Sequence, residues 1–332
     1  MPRGRPSRAA IHERLAGEAR ELWERYGGLP LPEEAESIWA DIWHFEAHSS
    51  TALEGNTLVL GEVETLLSQG RAVGNKELKD YLEVQGYASA ARWVYSQARG
   101  RGDWGSEELV TITEVRQVHR QAMSPVWEVA PHPQAGDVEA PGSFRQHDLQ
   151  PFGRGMRPPA FTEVPALVRD WVAEVNAIRA DARPVAVALA QRHARFEEIH
   201  PFLDGNGRAG RLLMNLTLVR MGYPPAIIQR RERNRYLDAL DRADGGDPEP
   251  LGELIARSVL DNLTRFVLPA IAGPARVVLL DALTTLGLSL VALRAAAERG
   301  RLRALRGPDG KWRSSRVWVE DYAQNRHRRT AR

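Results

Sequence analysis

The 332-residue sequence contains no cysteine. That excludes disulfides and thiolate metal centres, and it fits a reducing, cytoplasmic setting. The opening residues, "MPRGRPSR", have no apolar core of the kind a signal peptide needs. Long hydrophobic runs are missing as well. The most apolar late stretch, Val277 to Leu293, is short for a span and carries Asp281, so it reads as buried helix and no membrane partner is expected. Nor does one sign of charge prevail over the whole chain, with 45 Lys/Arg against 43 Asp/Glu. The balance conceals an asymmetry: residues 294–332 hold 12 basic and 4 acidic residues, leaving 33 and 39 elsewhere. A basic tail on an acidic body points to a polyanion partner for the tail alone.

Composition is otherwise that of a globular protein, 43% hydrophobic and 27% charged. The length suits about two domains at ~150 residues each. Residues 1–10 read as a flexible basic terminus in which "PRGRP" resembles the AT-hook, an element laid into an A·T-rich minor groove. Residues 11–105 read as helical. One helix ends near the Ser/Thr cluster at 49–51, Thr57 is a candidate cap for the next, and a third covers Lys76 to Gln97. A break at "RGRGDWGSEE" leads, with Ser106 as candidate cap, into a helix from Glu107 to Met123. Residues 106–268 then form a second helical block, interrupted by a Pro/Gly-rich insertion between Val129 and Pro159 with an extended candidate at Phe144 to Leu149. Its later helices are expected at Glu163–Ile178, Pro184–Ile199, Gly207–Met221, Arg231–Ala243 and Ser258–Val267. In residues 275–332 a short helix, a turn at Gly287, a helix from Ser289 to Arg299 and the turn signal "GPDG" resemble a winged helix-turn-helix, with possible DNA contact through that unit. The expected fold class is mainly α: a helical core with a short β-hairpin flap, plus this small C-terminal domain.

Chemistry concentrates in "HPFLDGNGRAGR", residues 200–211. "GNGRAG" formally matches a dinucleotide fingerprint, but no strand precedes it, and no Lys-Ser/Thr follows to make a Walker loop. His193, Glu197 and His200 share metal-ligand spacing, which chance often produces. Gly205, Asn206 and Gly207 instead fall between two helices and feed the N-terminus of the second. Unpaired amides and the helix dipole there favour an anion, and glycine lets backbone approach phosphate. Arg208 and Arg211 project from one face of that helix and suit polyphosphate. Asp204 offers a hard oxygen for Mg²⁺, and His200 is able to take a proton near neutrality.

The same twelve residues match, at every defined position, the signature of the Fic (filamentation induced by cAMP) family, His-x-Phe-x-Asp-Gly-Asn-Gly-Arg-x-x-Arg. The resemblance extends over roughly residues 40 to 265. It implies a helical core that transfers AMP from ATP to a Tyr, Thr or Ser hydroxyl of a target protein and releases pyrophosphate. It assigns His200 as general base, Asp204 as the Mg²⁺ ligand and Gly205, Asn206 and Gly207 as the phosphate loop. Arg208 and Arg211 then hold distal phosphates, and Phe202 anchors the loop. The kinase-like Doc branch carries Ala and Lys in this loop, which sets phosphoryl transfer aside. "SSTALEGN", residues 49–56, resembles the family's inhibitory motif and implies that Glu54 pairs with Arg211; the plain alternative is a helix end followed by a helix start. "GSFRQHDL", residues 142–149, resembles the family flap that pairs with a target strand. Asn234 and Tyr236 are candidates to face adenine. Pairing of two copies is common in such proteins. Two other functions stay open: a DNA-binding regulator with this core, and removal of AMP from a modified protein.

Overall fold

The computed structural model describes residues 6–30, 36–99, 108–151, 156–179, 184–271, 277–306 and 310–326. Most of the "PRGRP" element, the Ser106 cap and the tip of the "GPDG" turn lie outside them. Thirteen α-helices and three short strands are present among the described residues. In chain order the helices are α1 (Arg8–Tyr26), α2 (Glu36–Leu53), α3 (Leu60–Gln69), α4 (Leu78–Ser96), α5 (Ile112–Trp127), α6 (Val164–Asn176), α7 (Val185–Ile199), α8 (Asn206–Arg220), α9 (Arg233–Asp244), α10 (Glu249–Asn262), α11 (Leu268–Ile271), α12 (Leu290–Glu298) and α13 (Arg316–Asn325). The strands are β1 (Val277–Leu279), β2 (Leu305–Arg306) and β3 (Trp312–Ser315). No helix among the described residues is long and apolar enough to cross a membrane.

Local chemistry explains the main departures from the sequence reading. Thr57 does not cap α3: its hydroxyl bonds the Asp80 carboxylate, and Val59 is the cap, its amide held by Glu62. The helix expected from Glu107 begins instead at Ile112. A reciprocal box fixes that start, with the Glu114 amide donating to Thr111 Oγ1 and the Thr111 amide to Glu114 Oε2 at 2.9 Å. The last core helix also begins earlier than expected, at Glu249, and passes into a π-helical turn over Leu263–Val267. No strand is assigned at residues 142–149, which turn or bend at 142–143 and 146–147; the described residues of the insertion carry an isolated bridge at Met156. Proline and glycine in this stretch favour turns over ladder hydrogen bonds.

One hydrophobic core runs from Ile11 to Leu268 and includes both Ala98 and Leu109. α4 and α5 cross very closely, because Gly86 lies against the Ala122 carbonyl where a Cβ would stand only 2.2 Å away. α8, buried along nearly its whole length, runs through the centre with α2, α4, α5 and α7 packed around it. A second, smaller core joins Val278, Leu283, Leu293, Ala296, Leu302 and Val319. It lies beneath an antiparallel sheet of order β1-β3-β2, with Val277 opposite Ser315 and Leu305 opposite Arg313. α12 follows a turn at Gly287, as the sequence suggested; the turn is left-handed, and Ser289, expected as the first helical residue, is the cap.

Candidate functional site

α7 ends where the site begins. Its C-cap is His200, whose φ of 48° makes it the one non-glycine residue with positive φ among those described. The His200 amide still donates to Phe196 O at 3.1 Å, closing the helix as a glycine cap would. The ring contacts the Glu197 carbonyl through Nδ1 at 3.1 Å. A carbonyl only accepts, so Nδ1 carries the proton and the acceptor lone pair resides on Nε2. Burial, joined by the charge of Arg145, pulls the imidazole pKa down to about 4, so the ring is neutral and basic at physiological pH.

The loop after it is clamped by its own side chains. Asn206 Oδ1 accepts from the Phe202 amide at 2.9 Å and Nδ2 donates to Phe202 O at 2.8 Å. The Asn206 side chain therefore fixes the bend, and what it offers an anion is its place at the start of α8. Gly205 caps α8 at φ 77°, with Met123 packed where a Cβ would project. By helix geometry the first-turn amides have no intrahelical acceptor, and they face outward from the bend. Asp204 is half-exposed; its Oδ1 accepts from the Gly205 amide at 2.6 Å and from Arg208 Nη2 at 3.3 Å.

Both arginines lie on the buried side of the first two turns of α8. Arg208 Nη1 forms an ion pair with Glu83 Oε1 on α4 at 3.4 Å, and its Nε is buried with no hydrogen bond among the described residues. Buried donors left unmade are costly, so this guanidinium is suited to an incoming anion. Arg211 is fully engaged. Its Nε donates to Ser50 Oγ at 2.7 Å, and its Nη2 to Ser50 O at 3.1 Å and to Glu54 Oε1 at 2.6 Å. Burial pushes the Glu54 carboxyl up, but the Arg211 charge outweighs it and holds Glu54 below the usual carboxylate range. Glu54 Oε1 also stands 2.5 Å from where a Cβ on Gly207 would be. The carboxylate thus covers the space over the glycine bend.

Not every expected residue gathers here. Tyr236 is buried, its hydroxyl 2.7 Å from His193 Nε2 and within the electrostatic reach of the Arg211 guanidinium. It supports the underside of the arginine and presents no open face to a base. Asn234 is exposed on the first turn of α9, beside Arg233, whose Nε donates to the Leu53 carbonyl at the end of α2. The three residues with metal-ligand spacing do not form a metal cluster, and no such group occurs among the described residues. Three residues went unnoticed in the sequence. His119 receives the Gly142 amide at Nδ1 and so donates Nε2–H to Asp204 O, each at 2.8 Å, with its ring stacked 3.7 Å from Phe202. Burial lowers its pKa to about 4, keeping that tautomer neutral. Glu83 and Arg145 complete the set. No local pattern marks any of the three, since each acts across more than 50 residues of sequence.

Residues 109–218 match the Fic/DOC family profile. The protein adenylyltransferase Fic of Aedes aegypti is 32% identical over 224 residues, 67% of this chain and 40% of the relative. That of Drosophila melanogaster is 29% identical over 221 residues, with the same coverage. The chain therefore spans about two-fifths of the length of the curated relatives it matches. Among solved structures, a Fic domain containing signaling protein from Bacteroides thetaiotaomicron aligns with a TM-score of 0.62 and 25% identity, over 84% of this chain and 98% of that one. Fic-1 from C. elegans aligns with a TM-score of 0.60 and 23% identity, over 78% and 72% respectively, a likeness of fold.

Proposed function

A Fic/DOC-family domain occupies residues 109–218, and from that premise we propose that this protein is a self-inhibited adenylyltransferase moving AMP from ATP to a hydroxyl of a target protein. One observation carries the reading: a neutral imidazole with its acceptor at Nε2 adjoins a glycine-started helix that bears Arg208 and Arg211. The target's Tyr, Thr or Ser oxygen attacks the α-phosphorus of ATP, the bond from that phosphorus to the bridging oxygen breaks, and pyrophosphate leaves. The hydroxyl proton passes to His200 Nε2. Amides of the 205–207 bend and the two guanidiniums hold the phosphates and the charge that develops on them. A half-exposed carboxylate at Asp204, beside an anion cradle, suits Mg²⁺, which takes most of its ligands from phosphate and water. When bound, the ion supplies neutralising charge on the phosphates.

The inhibition has its own support. Glu54 occupies the space over Gly207 and satisfies the arginine that a distal phosphate would need. With labelled ATP and Mg²⁺, Glu54→Gly should label itself or a target at least about tenfold more strongly than the parent, the scale of one lost charge-assisted contact. Adding His200→Ala should abolish the label, since general-base loss costs roughly 10²-fold or more. Equal labelling by Glu54→Gly and the parent would remove the inhibitory reading, and undiminished labelling without the imidazole would remove the mechanism. For the C-terminal unit we propose DNA contact through α12 and the β2–β3 hairpin, supported by that topology and by the basic charge of residues 294–332.

A further inference from the structure

Arg145 is 1% exposed, yet among the described residues its guanidinium has no buried carboxylate partner. The nearest acid, Asp148, lies 3.9 Å from Nη1 and is largely exposed. Instead every arm donates to a main-chain carbonyl: Nε to His200 at 2.9 Å, Nη1 to His147 at 3.1 Å and Nη2 to Pro159 at 2.5 Å. Its own amide donates to Pro201 O at 3.0 Å. One residue thereby grips both peptide groups that follow the imidazole-bearing carbon, 55 positions away in sequence. A buried charge is expensive to keep, and a hydrophobic side chain of similar volume would fill the same space. What only arginine supplies is a planar fork reaching three carbonyls at once. The need for it is local. His200 sits in the left-handed region, where a residue with a Cβ stays only when its surroundings over-determine it.

The other two carbonyls locate the second half of the argument. His147 and Pro159 belong to the stretches 147–151 and 156–160, which follow the turns at 141–147. That region is further tied by Glu139, whose carboxylate accepts from the Gly136 and Gln146 amides at 2.9 and 2.7 Å. A chain docking along it would press on the guanidinium that holds His200.

We propose that Arg145 is a positioning residue that fixes the His200 imidazole for proton transfer and couples it to the 147–151 and 156–160 stretches beside it. The proposal rests on the AMP-transfer reading. Its test uses the full chain carrying Glu54→Gly, with and without Arg145→Met or Arg145→Lys. Turnover and KM for ATP are measured, together with equilibrium binding of a non-hydrolysable ATP analogue. Arg145→Met should lower kcat about 10²-fold, the scale of a 1 Å misplacement of a catalytic group, with KM and analogue affinity within about twofold. Arg145→Lys, which can serve one carbonyl while its stem fills the space, should recover part of kcat. If Arg145→Met does not fold, Arg145→Lys decides: kcat at the parent value, or analogue binding lost in step with kcat, overturns the proposal. A Glu54→Gly parent that binds the analogue but transfers nothing ends the AMP-transfer reading itself, and this proposal with it.

Discussion

His200 shows how much a single position is asked to do. It ends α7, turns the chain in a conformation usually left to glycine, and presents a base. Because burial and the Arg145 charge depress its pKa to about 4, the basic form persists far below the ordinary histidine value of about 6.5. AMP transfer by the Glu54→Gly protein should therefore hold steady from about pH 8 to 5.5 and lose activity only as pH falls toward 4. A pH–rate profile with its acid limb centred near 6.5 would show an imidazole in ordinary solvent. The signature identified this residue from sequence alone. The partners that tune it, Arg145 and His119, were invisible there because an isolated Arg or His on a turn or helix face carries no distinguishing pattern.

At the scale of elements, α2 and the turn that ends it carry the residues that hold Arg211. Glu46 and Ser50, four residues apart, share one face of α2, and Glu54 follows in the turn just past its end. Glu46 accepts from Tyr87 at 2.8 Å and Asn215 at 2.7 Å, and Tyr95 bonds its second oxygen; Ser50 and Glu54 hold Arg211. The chain then continues into Asn56, whose Nδ2 donates to Glu83, the neighbour of Arg208. The pairing of Glu54 with Arg211 follows from the motif, whereas the anchoring by Glu46 joins residues 169 apart and needed the packed helices. A different element, the α12 and β2–β3 unit, carries its own expected outcome. Its affinity for duplex DNA should fall about 10³-fold or more between ~50 and ~200 mM salt if it contacts several phosphates. The reading fails if binding is absent or insensitive to salt, or if it survives deletion of residues 275–332.

Across the whole molecule the buried ionisable groups set how stability responds to pH. Burial raises the carboxyl of Glu46 to about 7 and that of Glu197 to about 8. It lowers His119 to about 4 and His193 to about 3, alongside His200. The carboxyls keep their protons in the native state after the unfolded chain has released them, so their contribution declines as pH rises from about 4.5 to 7 and 8. The histidines act oppositely: the unfolded chain binds protons below about 6.5 that the native state refuses, so stability grows as pH rises to that value. Above it only the carboxyl effect remains. Thermal denaturation should show Tm highest near pH 6.5 and declining toward pH 8, with Glu197→Gln flattening the later part of the decline. A Tm that keeps rising to pH 8 would mean that these carboxyls are ionised and paired in the native protein.

What the sequence settled alone is what is written locally: the helical periodicities, the glycine bend entering α8 with its two arginines, the base five residues before it, and the turn-and-helix pattern of the tail. These depend on residues within a few turns of one another, where spacing dictates geometry. The tertiary structure decided the rest: that residues 142–149 form no strand, that Tyr236 is buried against His193, and that Arg145, His119 and Glu83 reach the loop from other elements. Hydrogen bonds across 50 or more residues form only once the core has brought their helices together, and a sequence read along its length has no term for that distance.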